Sequence, residues 1–464
     1  MLTKANTKLS SLLPPNIALI IAGVFFGALC AFSIDPYLNL VEQLGFRIKQ
    51  VNMTMYMDYV ASLVWATFFG ACIIFFPVSK MDKSMLLWAW LLKCFVSLFV
   101  LLFYEGYYSL DAEGFFNQGI NFAEKYKKMN PMEIFLVTKH SESIFFLITK
   151  YKLMVPDIIG GSFHSLKISF SMVSLIATYL FYHAANIITK KKNRAFFWAI
   201  LLCPSLLVHT SEIGKESLIV FGLAIYAVGL AGWHINRKAI FLFLISFGWL
   251  VCGFIRIWMG PILGLPLFFY FLYTNKNLLS KVVCSLLLGT LIFYFNGVTL
   301  KRLSVGDDKN ALYSKLERIQ KDNHRGGAAI NRAPVEIKGL LDVIKYAPSG
   351  IFTALFRPLP WDMSGLLGLL SGMEGLLLLY LFFRAMYRTR LKELNDPIVV
   401  WGVVLVLSWA MVYGFVIHNF GTALRWKTPI LPIFLGLLLY LGRYRSKDLK
   451  PFGLKFSNLP ELKK

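Results

Sequence analysis

Acidic side chains are scarce in this sequence. Asp and Glu number 25 against 48 Lys and Arg, and charged residues of both signs make up only 16% of 464 residues. A soluble domain carries about 25% charged residues, so this chain has too little polar surface to fold as one in water. Cysteine is absent from every loop. All six (Cys30, Cys72, Cys94, Cys203, Cys252 and Cys284) lie in apolar runs and no C-x-x-C occurs, which excludes a disulfide framework and a thiol redox motif. The seven histidines show no metal-ligand spacing, so no metal and no other cofactor is expected. There is no Pro/Gly/Ser-rich linker and no solenoid repeat, which leaves a single integral membrane domain over residues 1–464 as the expected organisation.

What is abundant is apolar length: 57% of residues are hydrophobic and 16% aromatic. Twelve runs approach the roughly 20 residues, with about 17 as the lower end, that cross a bilayer as helix: 17–34, 60–78, 85–103, 168–187, 195–209, 217–234, 239–255, 257–273, 282–295, 363–383, 398–417 and 428–442. The fold class expected is therefore all-α, a polytopic membrane protein of about twelve helices. Runs 195–209, 282–295 and 428–442 are short, and each must tilt, borrow neighbours or break.

The net charge of +23 is placed in a pattern. With both termini in the cytoplasm, the short basic loops all fall on that side: Lys190, Lys191, Lys192 and Arg194, then Arg237 and Lys238, then Arg384, Arg388, Arg390 and Lys392, then the tail from Arg443. Lys/Arg bias in short loops sets orientation in a bilayer, and anionic lipid headgroups are the partners of such loops. This is membrane topology rather than a nucleic-acid footprint, and no nucleic acid is expected as partner. The first run follows Lys4 and Lys8 without a small-residue cleavage site and reads as an uncleaved helix.

This orientation puts two long loops on the extracytoplasmic face. The loop at about 104–167 holds short aromatic stretches (Phe115, Phe116, Phe122; Ile134–Leu136; Phe145–Ile148) that suit helices lying along the interface. The loop at about 296–362 has a charged middle, Ser314 to Arg332, expected to be mobile, and a rigid end, Phe356-Arg357-Pro358-Leu359-Pro360-Trp361-Asp362.

The candidate chemistry falls on the same face. The segment Tyr104 to Phe116 carries Asp111 and Glu113 among aromatics. It reads either as an ordinary interfacial belt or as a partly desolvated carboxylate able to act as general base, Asp111 first and Glu113 second. The tight connection Pro204–Ser217 holds Glu212, Lys215 and Glu216. The acids suit the first turn of the next helix, but Lys215 does not, and a cation there suits an anionic ligand such as phosphate. Arg256 sits between two apolar runs with almost no loop around it, where an ionisable residue is either functional or snorkelling. Arg357, Arg425 and Lys427 stand at outer span ends against the positive-inside pattern, and guanidinium binds phosphate in bidentate fashion.

These segments, in this order, resemble a known group: an Asp-containing aromatic segment opening the first outer loop, a Pro-Ser-Leu-Leu…Ser-Glu-Ile-Gly-Lys-Glu-Ser hairpin, and Gly-Thr-Ala-Leu-Arg-Trp-Lys-Thr-Pro-Ile-Leu-Pro near the end. The pattern is similar to bacterial polytopic surface-polysaccharide proteins and, more distantly, to the GT-C glycosyltransferases that use polyprenyl-linked sugars. It runs over about residues 100–235 and 345–440. The resemblance implies a GT-C-like fold in a bacterial cytoplasmic membrane. It further implies sugar transfer from a polyprenyl-(di)phosphate donor to a glycan or lipid-linked acceptor at the outer face, as transferase or as repeat-unit polymerase. In it Asp111, Glu113 and Glu212 stand as catalytic candidates, and Lys215, Arg256, Arg357, Arg425 and Lys427 as phosphate ligands. The GT-C acid typically follows the first span, whereas Asp111 follows the third. A flippase or transporter, or a non-catalytic assembly subunit, are the rival readings.

Overall fold

The structure, a computed structural model, describes residues 15–44, 54–102, 111–137, 142–275, 277–302, 318, 340–363 and 365–444. Among these residues every regular element is a helix. The Tyr104–Leu110 part of the aromatic segment, nearly all of the charged middle of the second loop and the basic tail beyond Tyr444 lie outside the described residues.

The N-terminal helices are α1 (Pro15–Leu44), α2 (Met55–Ile74) and α3 (Lys80–Val100, whose last turn, Val96–Val100, is a π-turn). The first outer loop then folds into short helices, of which α4 (Asp111–Asn121) and α5 (Glu142–Met154) matter most. The main bundle follows: α6 (Phe163–Thr189), the short α7 (Arg194–Leu201) and α8 (Pro204–His209), and α9 (Lys215–Asn236). After these come α10 (Ala239–Ile255), α11 (Met259–Thr274), α12 (Leu278–Arg302) and α13 (Leu340–Phe356). The last are α14 (Gly365–Arg388), α15 (Pro397–Val416), α16 (Phe420–Lys427) and α17 (Leu431–Leu441).

Among the described residues, seven helices are long and apolar enough to cross a membrane, and an eighth crossing is formed if the bent pair α16–α17 counts as one. This is a multi-pass membrane protein. Each of the twelve expected runs contains helix among the described residues, but not all form single spans. Run 195–209 is split into α7 and α8 at Leu202–Cys203, where Pro204 opens the second piece. Run 428–442 begins earlier, as α16, and turns by 70° before α17. Pro429 lacks the N–H that an unbroken helix would use there, which accounts for the break. Helices α10 and α11 have 17 and 16 residues. The second long loop is shorter than the sequence suggested, because residues 340–356 form a helix that packs on α15. A Cβ on Gly414 would lie 2.5 Å from the Gly350 carbonyl carbon, so the two backbones touch. A similar seam joins α9 and α10, where a Cβ on Gly248 would be 2.5 Å from the Gly222 carbonyl oxygen. Small residues permit this approach and supply the packing that holds helices together in lipid.

The bundle has two distinct ends. At one, Asp82 at the start of α3 pairs with Arg194 (3.3 Å), and Arg443 after α17 pairs with Glu393 (2.6 Å). Both α6 and α9 end on a basic residue in left-handed conformation, Lys190 and Arg237. At 1.5 Å per residue, the 27 residues of α6 and the 22 of α9 carry those basic turns about 40 and 33 Å from the helix starts, a bilayer thickness away. Phe163 and Lys215, which open these helices, therefore belong to the other end.

Candidate functional site

The non-basic-turn end contains a cavity of about 400 Å³, within the usual range for small-molecule sites. Five elements build it. From α4 come Asp111, Gly114, Phe115 and Gln118; from α5, Phe145; from the start of α9, Lys215. Arg256 enters from the break between α10 and α11, and Thr422, Arg425 and Trp426 from α16.

The charges are arranged around a carboxylate that does not itself line the cavity. Glu216, fully buried in the first turn of α9, accepts from Arg256 (Nη2 to Oε1, 2.8 Å) and faces Arg425 (Nη2 to Oε2, 3.5 Å). Gly214 leaves the room that this carboxylate uses, since a Cβ there would lie 2.8 Å from Oε2. Arg256 is 4% exposed and also donates to the Tyr413 hydroxyl (3.2 Å), which receives the Trp258 indole N–H (3.0 Å). The Nε of Arg256 and that of Arg425 are both buried and have no partner. Arg425 reaches outward to Asp111 as well, and Lys215 Nζ stands 5.6 Å from the centre of the Phe115 ring. The cavity thus gathers three cations from three separate elements, with Glu216 behind them and Asp111 at the mouth. Guanidinium donors left over in such a place suit a planar or tetrahedral oxyanion.

Of the residues picked from the sequence, Lys215, Arg256, Arg425 and Asp111 come together here. Asp111 is not, however, the desolvated carboxylate expected: its side chain is 64% exposed and ion-paired with Arg425. The other four do not line the cavity. Glu113 is on the opposite face of α4, buried at 6% exposure, because a helix turns 100° per residue and Asp111 and Glu113 therefore point apart. Glu212 pairs with His209 (3.4 Å) in the turn before α9. Arg357 is clasped by Asp362 (2.9 and 2.5 Å) and lies over the Phe420 ring. Burial opposes ionisation of that Asp362 carboxyl, but the Arg357 hydrogen bond, the Leu359 N–H and the Arg357 charge together hold it below the usual range. Lys427 is fully buried against Glu374 of α14 (3.1 Å).

That last pair ties the site's supports together. Glu374 also accepts from the Ser205 N–H and hydroxyl (2.8 Å each) at the start of α8. One carboxylate thereby links α14, α8 and the end of α16, two residues from Arg425. The turn preceding Lys215 is held from α3 and α6: Lys93 donates to Thr210 Oγ1 (2.6 Å) and Ser174 Oγ (2.7 Å), and Ser97, in the π-turn, to the Ser211 carbonyl (3.0 Å). The sequence signal for Glu374 and Lys93 was their presence as ionisable residues inside apolar runs. Gln118, Phe145 and Thr422 carried no such signal. Among the described residues no group of three or more His, Cys, Asp and Glu gathers as a metal site.

Fold and site define the class: a multi-pass, all-helical membrane protein with a cation-lined cavity at one end. No family model, no curated protein and no solved structure matches this chain.

Proposed function

We propose that this protein is a membrane glycosyltransferase acting on polyprenyl-(di)phosphate-linked sugars at the extracytoplasmic face of a bacterial cytoplasmic membrane. Its product belongs to a cell-surface polysaccharide such as O-antigen, capsule or exopolysaccharide, formed by single transfer or by repeat-unit polymerisation. In this reading the chain crosses twelve times, with GT-C-like architecture and both termini inside. The observation that carries it is the convergence of Lys215, Arg256 and Arg425 on one cavity at a bundle end, where a lipid's phosphate would lie.

The chemistry follows from the ion pairs. A donor phosphate competes with Asp111 for Arg425, and binding releases the carboxylate. The acceptor hydroxyl oxygen attacks the anomeric carbon as the bond from that carbon to the phosphate oxygen breaks. The electron pair leaves on the lipid phosphate, held by Arg256 and Arg425, and Asp111 takes the hydroxyl proton. Glu216 keeps the two guanidiniums in position before the ligand arrives. The test is Asp111→Asn in purified protein given lipid-linked glycan from its own cells. A general base contributes about 10²–10⁴-fold, so transfer falls by that order while binding of undecaprenyl phosphate persists. Undiminished transfer would remove Asp111 from the mechanism.

A flippase of lipid-linked oligosaccharide is the second reading. The observation in its favour is the 70° break between α16 and α17 beside the buried Lys427–Glu374 pair, since transporters bind at interrupted helices. Proteoliposomes separate the two. A new glycosidic bond made without another enzyme supports the transferase, and translocation without bond formation supports the flippase.

A further inference from the structure

Helix α4 has two faces of opposite character. Ala112, Glu113, Phe116 and Gly119 are buried, whereas Asp111, Gly114 and Gln118 are exposed and Phe115 is half-buried. The spacing i, i+3, i+4, i+7 puts the second set on one stripe, and all four line the cavity. The two glycines differ in the same way. A Cβ on Gly119 would meet Ile148 at 2.8 Å, so packing against α5 requires glycine there. A Cβ on Gly114 would meet nothing within 4 Å.

Glycine inside a helix is destabilising relative to alanine, and at 114 neither packing nor a turn calls for it. What it preserves is open space directly over the helix backbone. That space is bounded by an aromatic ring (Phe115), an amide with two donors and an acceptor (Gln118) and a carboxylate (Asp111), and the buried Arg256, with its unpartnered Nε, lines the same cavity. Flat apolar area beside donors and acceptors suits a ring with both a hydrophobic face and hydroxyls.

We infer that the α4 stripe Asp111–Gly114–Phe115–Gln118 is the subsite for a sugar ring of the lipid-linked glycan, with Gly114 setting the space available to it. The inference rests on the proposed glycan chemistry but assigns the ring to residues separate from the phosphate-binding cations. Gln118 fixes the ring by its hydroxyls, and Phe115 covers its apolar face.

Full-length protein in nanodiscs tests this with two probes: undecaprenyl phosphate, and the polyprenyl-linked glycan fraction extracted from membranes of the cells that carry the protein. Gly114→Leu points into open space and keeps the helix, which thermal melting verifies; Gln118→Ala is a second variant that adds no bulk. Wild type is expected to bind the glycan fraction more tightly than undecaprenyl phosphate. Both variants hold undecaprenyl phosphate within about twofold of wild type. Gly114→Leu weakens the glycan fraction by about tenfold or more, the scale of a steric change in a pocket, and Gln118→Ala weakens it by a smaller factor. Equal weakening of both probes by Gly114→Leu would overturn the sugar assignment in favour of a lipid or phosphate contact. Unchanged binding of both would mean that no ligand lies over Gly114. Wild type binding neither probe would instead overturn the glycan reading itself, and this inference with it.

Discussion

At the residue scale the cavity depends on what a guanidinium does that an ammonium cannot. Arg425 serves Asp111 and Glu216 at once, using donors in a fixed planar fork. Lys offers a single compact charge, so Arg425→Lys retains the charge and loses the bridge. Undecaprenyl phosphate binding in nanodiscs should weaken by about tenfold, on the scale of one lost charge-assisted hydrogen bond, with little change in melting temperature. Binding equal to wild type would show that only the charge at 425 matters. Glu216 illustrates why some residues escape a reading of the sequence. An acid in the first turn of a helix is ordinary, and only the arrival of Arg256 and Arg425, 40 and 209 positions later, makes this one the centre of a network.

At the element scale, the broken helices are the pieces that aim the site. Helices α8 and α16 are only 6 and 8 residues long, too short to be stable alone, and both are fastened to α14 through Glu374. Removing one partner of a buried ion pair leaves an uncompensated charge and costs about 3–5 kcal/mol, whereas replacing both by apolar groups is often neutral or better. Glu374→Gln should therefore lower the melting temperature strongly, and Glu374→Leu with Lys427→Met should recover part of it, the remainder being the Ser205 N–H and hydroxyl that lose their acceptor. If the double variant also recovers transfer, the pair is a fastening; a stable but inactive double variant would give it a part in the reaction. The sequence placed Lys427 among the phosphate ligands because it stands two positions from Arg425. On a helix that spacing sends the two side chains to different faces, one into the cavity and one into the bundle.

At the scale of the whole molecule, the two ends differ in kind. One carries the basic turns after α6 and α9, the other the cavity, and the helices between them are of membrane length. In the proposed orientation, with the basic turns inside as the positive-inside rule prefers, the cavity faces outward. A reporter fused after Gln320 should give an extracytoplasmic signal and one fused after Lys191 a cytoplasmic signal; the reverse would turn the cavity to the inside and remove the proposed donor and acceptor from its reach. The sequence by itself determined the helical class and the separation of basic turns from the Lys215–Arg256–Arg425 set. Apolar run length and charge position are properties of the chain in one dimension, and the bilayer reads them directly. It also determined that those three cations share a face. Only the tertiary structure decided which residues on that face meet. Asp111 and Glu113, two apart, separate to opposite sides of α4, while Glu216 and Arg425, 209 apart, come into contact. Run 428–442 was short enough that it had to tilt, borrow neighbours or break. Which of these it does, with α16 bent by 70° from α17, is fixed in the fold where Lys427 meets Glu374 and the Thr428 hydroxyl donates to the Ser205 carbonyl. Contacts between distant segments are set by helix rotation and packing, neither of which a count along the chain contains.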